Sequence, residues 1–389
     1  MGLPQFAKLT LTLLDGLVTD DKWPALMHYA GWMNAYLIYE TISDNLAIGL
    51  AQHENDLTAQ CKRVLKVFNE AMVARLKGDR ARARALMESV RTKTGTISAF
   101  KQSLTESEQR QMAKLYQALH GIDTNFIEYG TWSALVANIE SCGFIADRLA
   151  ARHLGGYLRQ GLIWRYEAVG KLLSDQQFSL QDLIAINTHT ILVIPVLTYY
   201  IAVLMEVLYP NAAIGQAYHS GVLPQALEDA ALLVRLTNDL GTGLMTDQQY
   251  VTNLFNELYG SSTSQPAGQT LGGFLLAEAS RTPMLTRIHK DIAYGEYNIS
   301  LYRLMDAPLS METLLVFSTS IAHLHKVYQQ RKARMTANLS TLTDMLGDDR
   351  ASRMIKRFVD FHEHIYRYSF DGQAGDYATK PDQKPAQAG

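Results

Sequence analysis

TILVIPVLTYYIAVLMEVLY, residues Thr190 to Tyr209, is the most apolar run in the chain, and its reading decides the fold. A membrane-spanning helix needs about 20 predominantly apolar residues. Pro195, Glu206 and the adjacent Tyr199 and Tyr200 interrupt this one. A carboxylate on an apolar helix is tolerated where protein partners hold it, and is costly in hydrocarbon. The run therefore reads as a buried helix through the middle of a large bundle, and no membrane span is expected. Around it the composition agrees: there is no proline between Pro24 and Pro195, and that interval is rich in Ala, Leu, Glu, Lys, Arg and Gln. Proline breaks helices and marks turns in β-rich chains, so so long a gap predicts helix after helix. No stretch shows strand alternation. The expected fold class is all-α.

The expected boundaries follow from the breakers. Long helices are predicted over Leu180 to Tyr209, from Pro224 through Asn238 to about Met245, over Pro283 to Met305 and over Ser310 to Leu346. Shorter ones are expected at Thr105 to His120 and Ala351 to Tyr366. The Gly, Ser, Thr and Pro of YGSSTSQPAGQTLGG, Tyr259 to Gly273, predict a loop. Residues 1–23 read as an N-terminal segment and 24–370 as one helical domain, with a charged helical insert at about 56–120. The composition of 371–389 reads as disordered.

Among 389 residues, 47% are apolar and 19% charged, ample for a core. A net charge of −2 offers no field for nucleic acid. Two cysteines, Cys61 and Cys142, make no disulfide framework, and no basic segment or small-residue cleavage site marks a signal peptide; a reducing, cytoplasmic setting is expected.

Two polar clusters break the apolar pattern. In RLTNDLGT, Arg235 to Thr242, Asn238 and Thr242 stand four apart, on one face if the helix continues. They can be oxygen ligands, or a helix end, since Gly241 and Gly243 can terminate a helix there. In YETISD, Tyr39 to Asp44, Glu40 and Asp44 are also four apart, among Trp, Tyr, Leu and Ile. Like charges at that spacing repel. On an apolar stripe they need a cation, either a metal or a Lys or Arg from another helix. The histidine pairs His323/His325 and His362/His364 do not share a face and read as solvated or capping.

Together these clusters resemble the two metal-binding motifs of the class I terpene synthases (terpene cyclases), in degenerate form. Asn238 and Thr242 match the second motif, with Thr246 where the family has Glu; Glu40, Thr41 and Asp44 match its Asp-Asp-x-x-Asp. HIYRYSFDG supplies Arg367 and Tyr368 in the place of the family's diphosphate-binding Arg-Tyr pair. The family's diphosphate-sensing arginine is missing, because no arginine lies between Arg165 and Arg235; His189 is nearest the expected place, and His189 or Arg165 is the substitute. The resemblance implies the class I terpenoid synthase fold and a lyase of isoprenoid biosynthesis. Mg²⁺ would sit between Glu40, Asp44, Asn238 and Thr242, with Asn238, Thr242 and Asp44 catalytic. Arg367, Tyr368, His189, Arg165 and Arg235 would hold the diphosphate of a farnesyl- or geranylgeranyl-type substrate. The alternatives are a prenyltransferase passing the allylic cation to a small-molecule acceptor, and a non-catalytic isoprenoid-binding scaffold. A homodimer is left open.

Overall fold

Proline-free, alanine- and leucine-rich sequence gives helices throughout the computed structural model, which describes residues 3–47, 56–91, 124–174, 176–262, 268–279 and 281–367. Among the described residues the sole strand-type pairing is a bridge between Thr270 and Pro308. The protein is all-α. The first half consists of α1 (Leu3–Leu14), α2 (Trp23–Leu46), α3 (Asp56–Leu76), α4 (Arg80–Ser89), α5 (Thr124–Arg148), α6 (Gly155–Leu172), α7 (Leu180–His189) and α8 (Val193–Ala202). A π-helical turn, Val203–Leu208, continues α8. Then follow α9 (Ile214–His219), α10 (Val222–Leu240), α11 (Thr242–Thr246), α12 (Gln248–Ser262), α13 (Leu271–Glu278), α14 (Thr286–Tyr294), α15 (Met311–Leu346) and α16 (Arg350–Ile365).

α10 is the central element, packed on α7, α8, α15 and α16. Its Ala226, Leu227, Ala230, Leu233 and Leu236 are fully buried. Each such leucine is worth roughly 2 kcal/mol of transfer free energy. α2 packs on α5, and α3 and α8 both pack on α6, so α6 joins the α2 side of the bundle to the α10 side. α1 packs on α2 and α16 with Leu13 and Leu14 fully buried, which makes the N-terminal segment part of the same core.

The apolar run behaves as its interruptions imply. Of its most apolar window, 83% is buried inside the bundle. Pro195 falls in the first turn of α8, where no intrahelical acceptor is needed. Gly161 of α6 lets the chain pass close: a Cβ there would lie 3.2 Å from Ile194. Glu206 turns its carboxylate onto the start of α6, accepting from the backbone N–H of His153 at 2.6 Å and of Leu154 at 3.0 Å. A negative charge at a helix N-terminus is stabilising.

Several boundaries differ from the sequence expectation. The helix expected over Leu180 to Tyr209 is interrupted between α7 and α8. The helix expected to reach Met245 stops at Leu240, because Gly241 adopts φ +84 and ψ 154. The helix expected over Pro283 to Met305 ends at Tyr294, where Gly295 takes a left-handed cap (φ +59). Residues 295–309 are then turns and a short 3-10 segment, Ile299–Leu301. Half of the expected loop at 259–273 is helical, with α12 running to Ser262 and α13 starting at Leu271. The helix expected at Thr105 to His120 and the tail at 371–389 lie outside the described residues.

Candidate functional site

Glu40 and Asp44 project from α2 toward α6, and the cation they require is a guanidinium. Arg165 Nη2 sits 3.3 Å from Glu40 Oε1 and 3.2 Å from Asp44 Oδ1. Glu40 is buried and its other oxygen is also engaged: Asn138 Nδ2 donates at 2.7 Å and the Tyr166 hydroxyl at 2.8 Å. The Tyr36 and Tyr166 hydroxyls are 2.8 Å apart, extending the network inward. Burial pushes the Glu40 carboxyl up, with Arg165 opposing and Asp44 adding to the rise. Burial likewise lifts both tyrosines well above their ordinary value, so both stay protonated and Tyr166 donates.

Asp44 differs in kind. Its side chain is 65% exposed, yet burial pushes its carboxyl up, with Arg165 opposing; Glu296 and Arg235 act on it as well. Asp44 is thus the exposed end of the Arg165 pair, and Glu40 its buried end.

On the α10 side, Arg235 pairs with Asp239 at 3.0 Å, and Asp239 is fully buried. Asp239 Oδ2 accepts the Ile299 N–H at 3.2 Å, and its backbone carbonyl accepts Asn298 Nδ2 at 2.8 Å. Asn298 also donates to Asp291 at 2.8 Å. Arg287 donates to the Asn238 backbone carbonyl and to its Oδ1, both at 2.8 Å. The last carbonyls of α10, orphaned as at any helix end, are thus taken up by Arg287 and Asn298. Burial drives Asp239 upward against the opposing charge of Arg235, and drives Asp291 to about 7 with the help of Asp239.

The expected ligand face does not form. Gly241 separates Asn238 from Thr242, which begins α11 and is buried. The Thr242 hydroxyl donates to the Glu363 carbonyl at 2.6 Å and its N–H to the Tyr366 carbonyl at 3.2 Å. The helix-end alternative describes this segment. Mg²⁺ takes near-octahedral oxygen donors, with one or two carboxylates beside waters and phosphate oxygens. Of the two carboxylates Glu40 is buried on Asn138, Tyr166 and Arg165 and only Asp44 is exposed, while Asn238 Oδ1 accepts from Arg287 and the Thr242 hydroxyl donates to a backbone carbonyl. These four residues, as they stand, do not fit the ion.

The diphosphate candidates divide. Arg165 pairs with Glu40 and Asp44, and Arg235 with Asp239. His189 instead lies against Trp164, ring centroids 5.1 Å apart, with Nδ1 buried and unpartnered. Burial lowers its pKa, helped by Lys171. Arg367 is exposed beyond the end of α16, and Tyr368 lies outside the described residues. Near that end of α16 it is the Tyr366 ring that meets an arginine, with the Arg287 guanidinium 4.9 Å from its centroid. Of the histidines read as solvated or capping, His325 and His362 are buried on backbone carbonyls.

Sequence reading ranked Asp239 below Asn238 and missed Arg287, Asp291 and Asn298. The Arg235/Asp239 spacing of four on α10 is the signal that points to the first. Nothing local marks the other three, which arrive from α14 and the turns after it. No protein-family model, no curated protein and no solved structure matches this chain.

Proposed function

We propose that the protein binds a prenyl diphosphate beside Asp44 and Arg165 and acts on it as a terpene synthase does. The C–O bond of the allylic ester would break heterolytically, the diphosphate leaving with the electron pair. The cation would then lose a proton or capture water to give a terpene. The observation that carries this reading is that Arg165 on α6 meets both α2 carboxylates, Glu40 at 3.3 Å and Asp44 at 3.2 Å, and that Asp44 is exposed. Guanidinium groups in a water-poor setting stabilise a departing diphosphate, because fixed charges there act through a low dielectric. The farnesyl- or geranylgeranyl-type substrate comes from the resemblance of RLTNDLGT and YETISD to the terpene synthase motifs. Interception of the cation by a second molecule would make the protein a prenyltransferase.

A second reading, a binder of isoprenoids without turnover, is favoured by one specific observation. Glu40, Asn238 and Thr242 are already satisfied by hydrogen bonds within the protein. Incubation with farnesyl and geranylgeranyl diphosphates, in Mg²⁺ and in parallel in EDTA, separates the two. Pyrophosphate release together with a terpene seen by mass spectrometry supports the synthase. Binding without release supports the scaffold, and absence of binding removes both.

A further inference from the structure

We propose that the groove over α5, between α2 and the α3–α4 turn, docks an acidic amphipathic helix of a partner protein. Glu40, Asp44 and Arg165 take no part in it, whatever they bind.

The groove is a cleft of about 480 Å³. Its floor is one face of α5, where Glu140, Phe144 and Asp147 follow at i, i+4 and i+7. Trp32 and Ala35 of α2 line one side, Arg75 of α3 and Arg80 of α4 the other. α2 and α3 both pack on α5, so the floor runs between two helical ridges. A further helix fills such a shape by setting its own side chains between those ridges.

The floor supplies an apolar anchor point. Phe144 is 42% exposed, and its ring meets the Trp32 ring edge-on at 5.1 Å. The Arg148 guanidinium lies 4.5 Å from the Trp32 centroid. Aromatic side chains beside arginine are the composition of an interface centre.

The charges are arranged for an acidic guest. Asp147 accepts from Arg75 and Arg159, each at 2.9 Å, and from Arg80 at 3.3 Å. Arg75 reaches that position because residue 143 is glycine; a Cβ there would collide with its guanidinium. With Arg148, four guanidinium groups surround two carboxylates, Asp147 and Glu140, and the Arg80 side chain stays 66% exposed. The excess belongs to this side of the molecule. Residues 56–91, which build α3 and α4, hold nine Lys and Arg against four Asp and Glu, in a chain of net charge −2. Carboxylates flanking an apolar anchor complement such a surface and are steered to it.

A protein helix fits better than other anionic partners. A bilayer is flat and cannot follow a floor sunk between two helices. The exposed Glu140 repels anionic headgroups and nucleic-acid phosphates alike. A protein answers both signs, with a carboxylate for Arg80 and a lysine or arginine for Glu140.

Fluorescence anisotropy of labelled, designed peptides against the full chain makes the test. The peptides are helices of about four turns with leucine or phenylalanine at i, i+3, i+4 and i+7, flanked in one set by glutamate and in the other by lysine. The glutamate set is expected to bind about tenfold more tightly than the lysine set, and to weaken as salt rises. Phe144→Ala is expected to weaken it by about tenfold, as loss of a central anchor does, and Arg80→Gln by about threefold, the worth of one exposed ion pair. Both side chains are exposed, so thermal melts of the variants should match the wild type. If Phe144→Ala fails to fold, Arg80→Gln and the contrast between the peptide sets decide. No binding, equal affinity for the two sets, or binding untouched by the substitutions overturns the proposal. Vesicles of phosphatidylcholine and phosphatidylserine in equal parts, and poly-uridine RNA, are measured beside the peptides. Tighter binding of either, lost in the same variants, overturns it too and gives the groove to a membrane or to RNA.

Discussion

Asp239 and Asn238 are neighbours with opposite fates. Asp239 is fully buried and is the counter-charge of Arg235, whereas Asn238 is half-buried and exchanges one side-chain hydrogen bond with Arg287. Asp239→Asn leaves a guanidinium in the interior with its counter-charge gone. Breaking a buried pair in this way costs about 3–5 kcal/mol. Asn238→Ala removes an acceptor from Arg287, which keeps the Asn238 backbone carbonyl, and is expected to cost about 1–2 kcal/mol. Urea unfolding of the two variants checks the order; equal losses would mean the Arg235–Asp239 pair is not the anchor of this helix end. At this scale the sequence shows that Glu40 and Asp44 require a cation. It does not show which, because Arg165 stands 121 residues beyond Asp44 and only the packing of α6 against its neighbours brings it there. The same holds for Arg287, 49 residues beyond the Asn238 it caps.

At the scale of elements, the decisive residue is Gly241. Its backbone, φ +84 and ψ 154, lies in a region almost reserved for glycine, and a Cβ there would meet Arg287 Cγ at 3.3 Å. Gly241→Ala is therefore expected to cost about 1–3 kcal/mol. The damage should reach the α10 end specifically, so hydrogen exchange at residues 238–242 should rise more than at the centre of α10. Uniform exchange along the helix would show that the break does not depend on this backbone conformation. Helix existence was legible in the proline-free composition; the capping boxes that Ser179 and Ser310 close are seen only in the structure. Helix ends at Gly241 and Gly295 were less legible. A glycine inside an apolar period is read as tolerated unless tertiary contacts, here Arg287 and the turn after α14, reward the bend. The consequence is functional: the expected face of Asn238 and Thr242 exists only on an unbroken helix.

At the scale of the molecule, the buried charge network makes stability depend on pH in a direction set by its least comfortable member. Asp291 is held at about 7 in the fold against an ordinary 3.8, chiefly by burial and then by Asp239, with Lys290 and Asn298 pulling the other way. Between those two values the folded state binds more protons at this site than the unfolded chain. Stability must therefore fall as pH rises through the window, the reverse of the usual carboxylate. His362, lowered to about 4 by burial, works in the opposite sense: its folded form binds fewer protons than the unfolded one, so stability rises with pH up to its ordinary 6.5. A single melting curve mixes the two. The difference between the wild-type protein and Asp291→Asn cancels His362, because that side chain is the same in both. The variant keeps an oxygen for Asn298 and cannot ionise. It should have about the wild-type stability at pH 4 and exceed it increasingly up to about pH 7, the gap opening between about 4 and 7 and levelling above that. Thermal melts of both proteins across pH 4–8 measure the gap. A constant difference would place Asp291 in an ordinary solvated setting, whereas a widening one shows that burial at the α10 end holds its carboxyl in the neutral form.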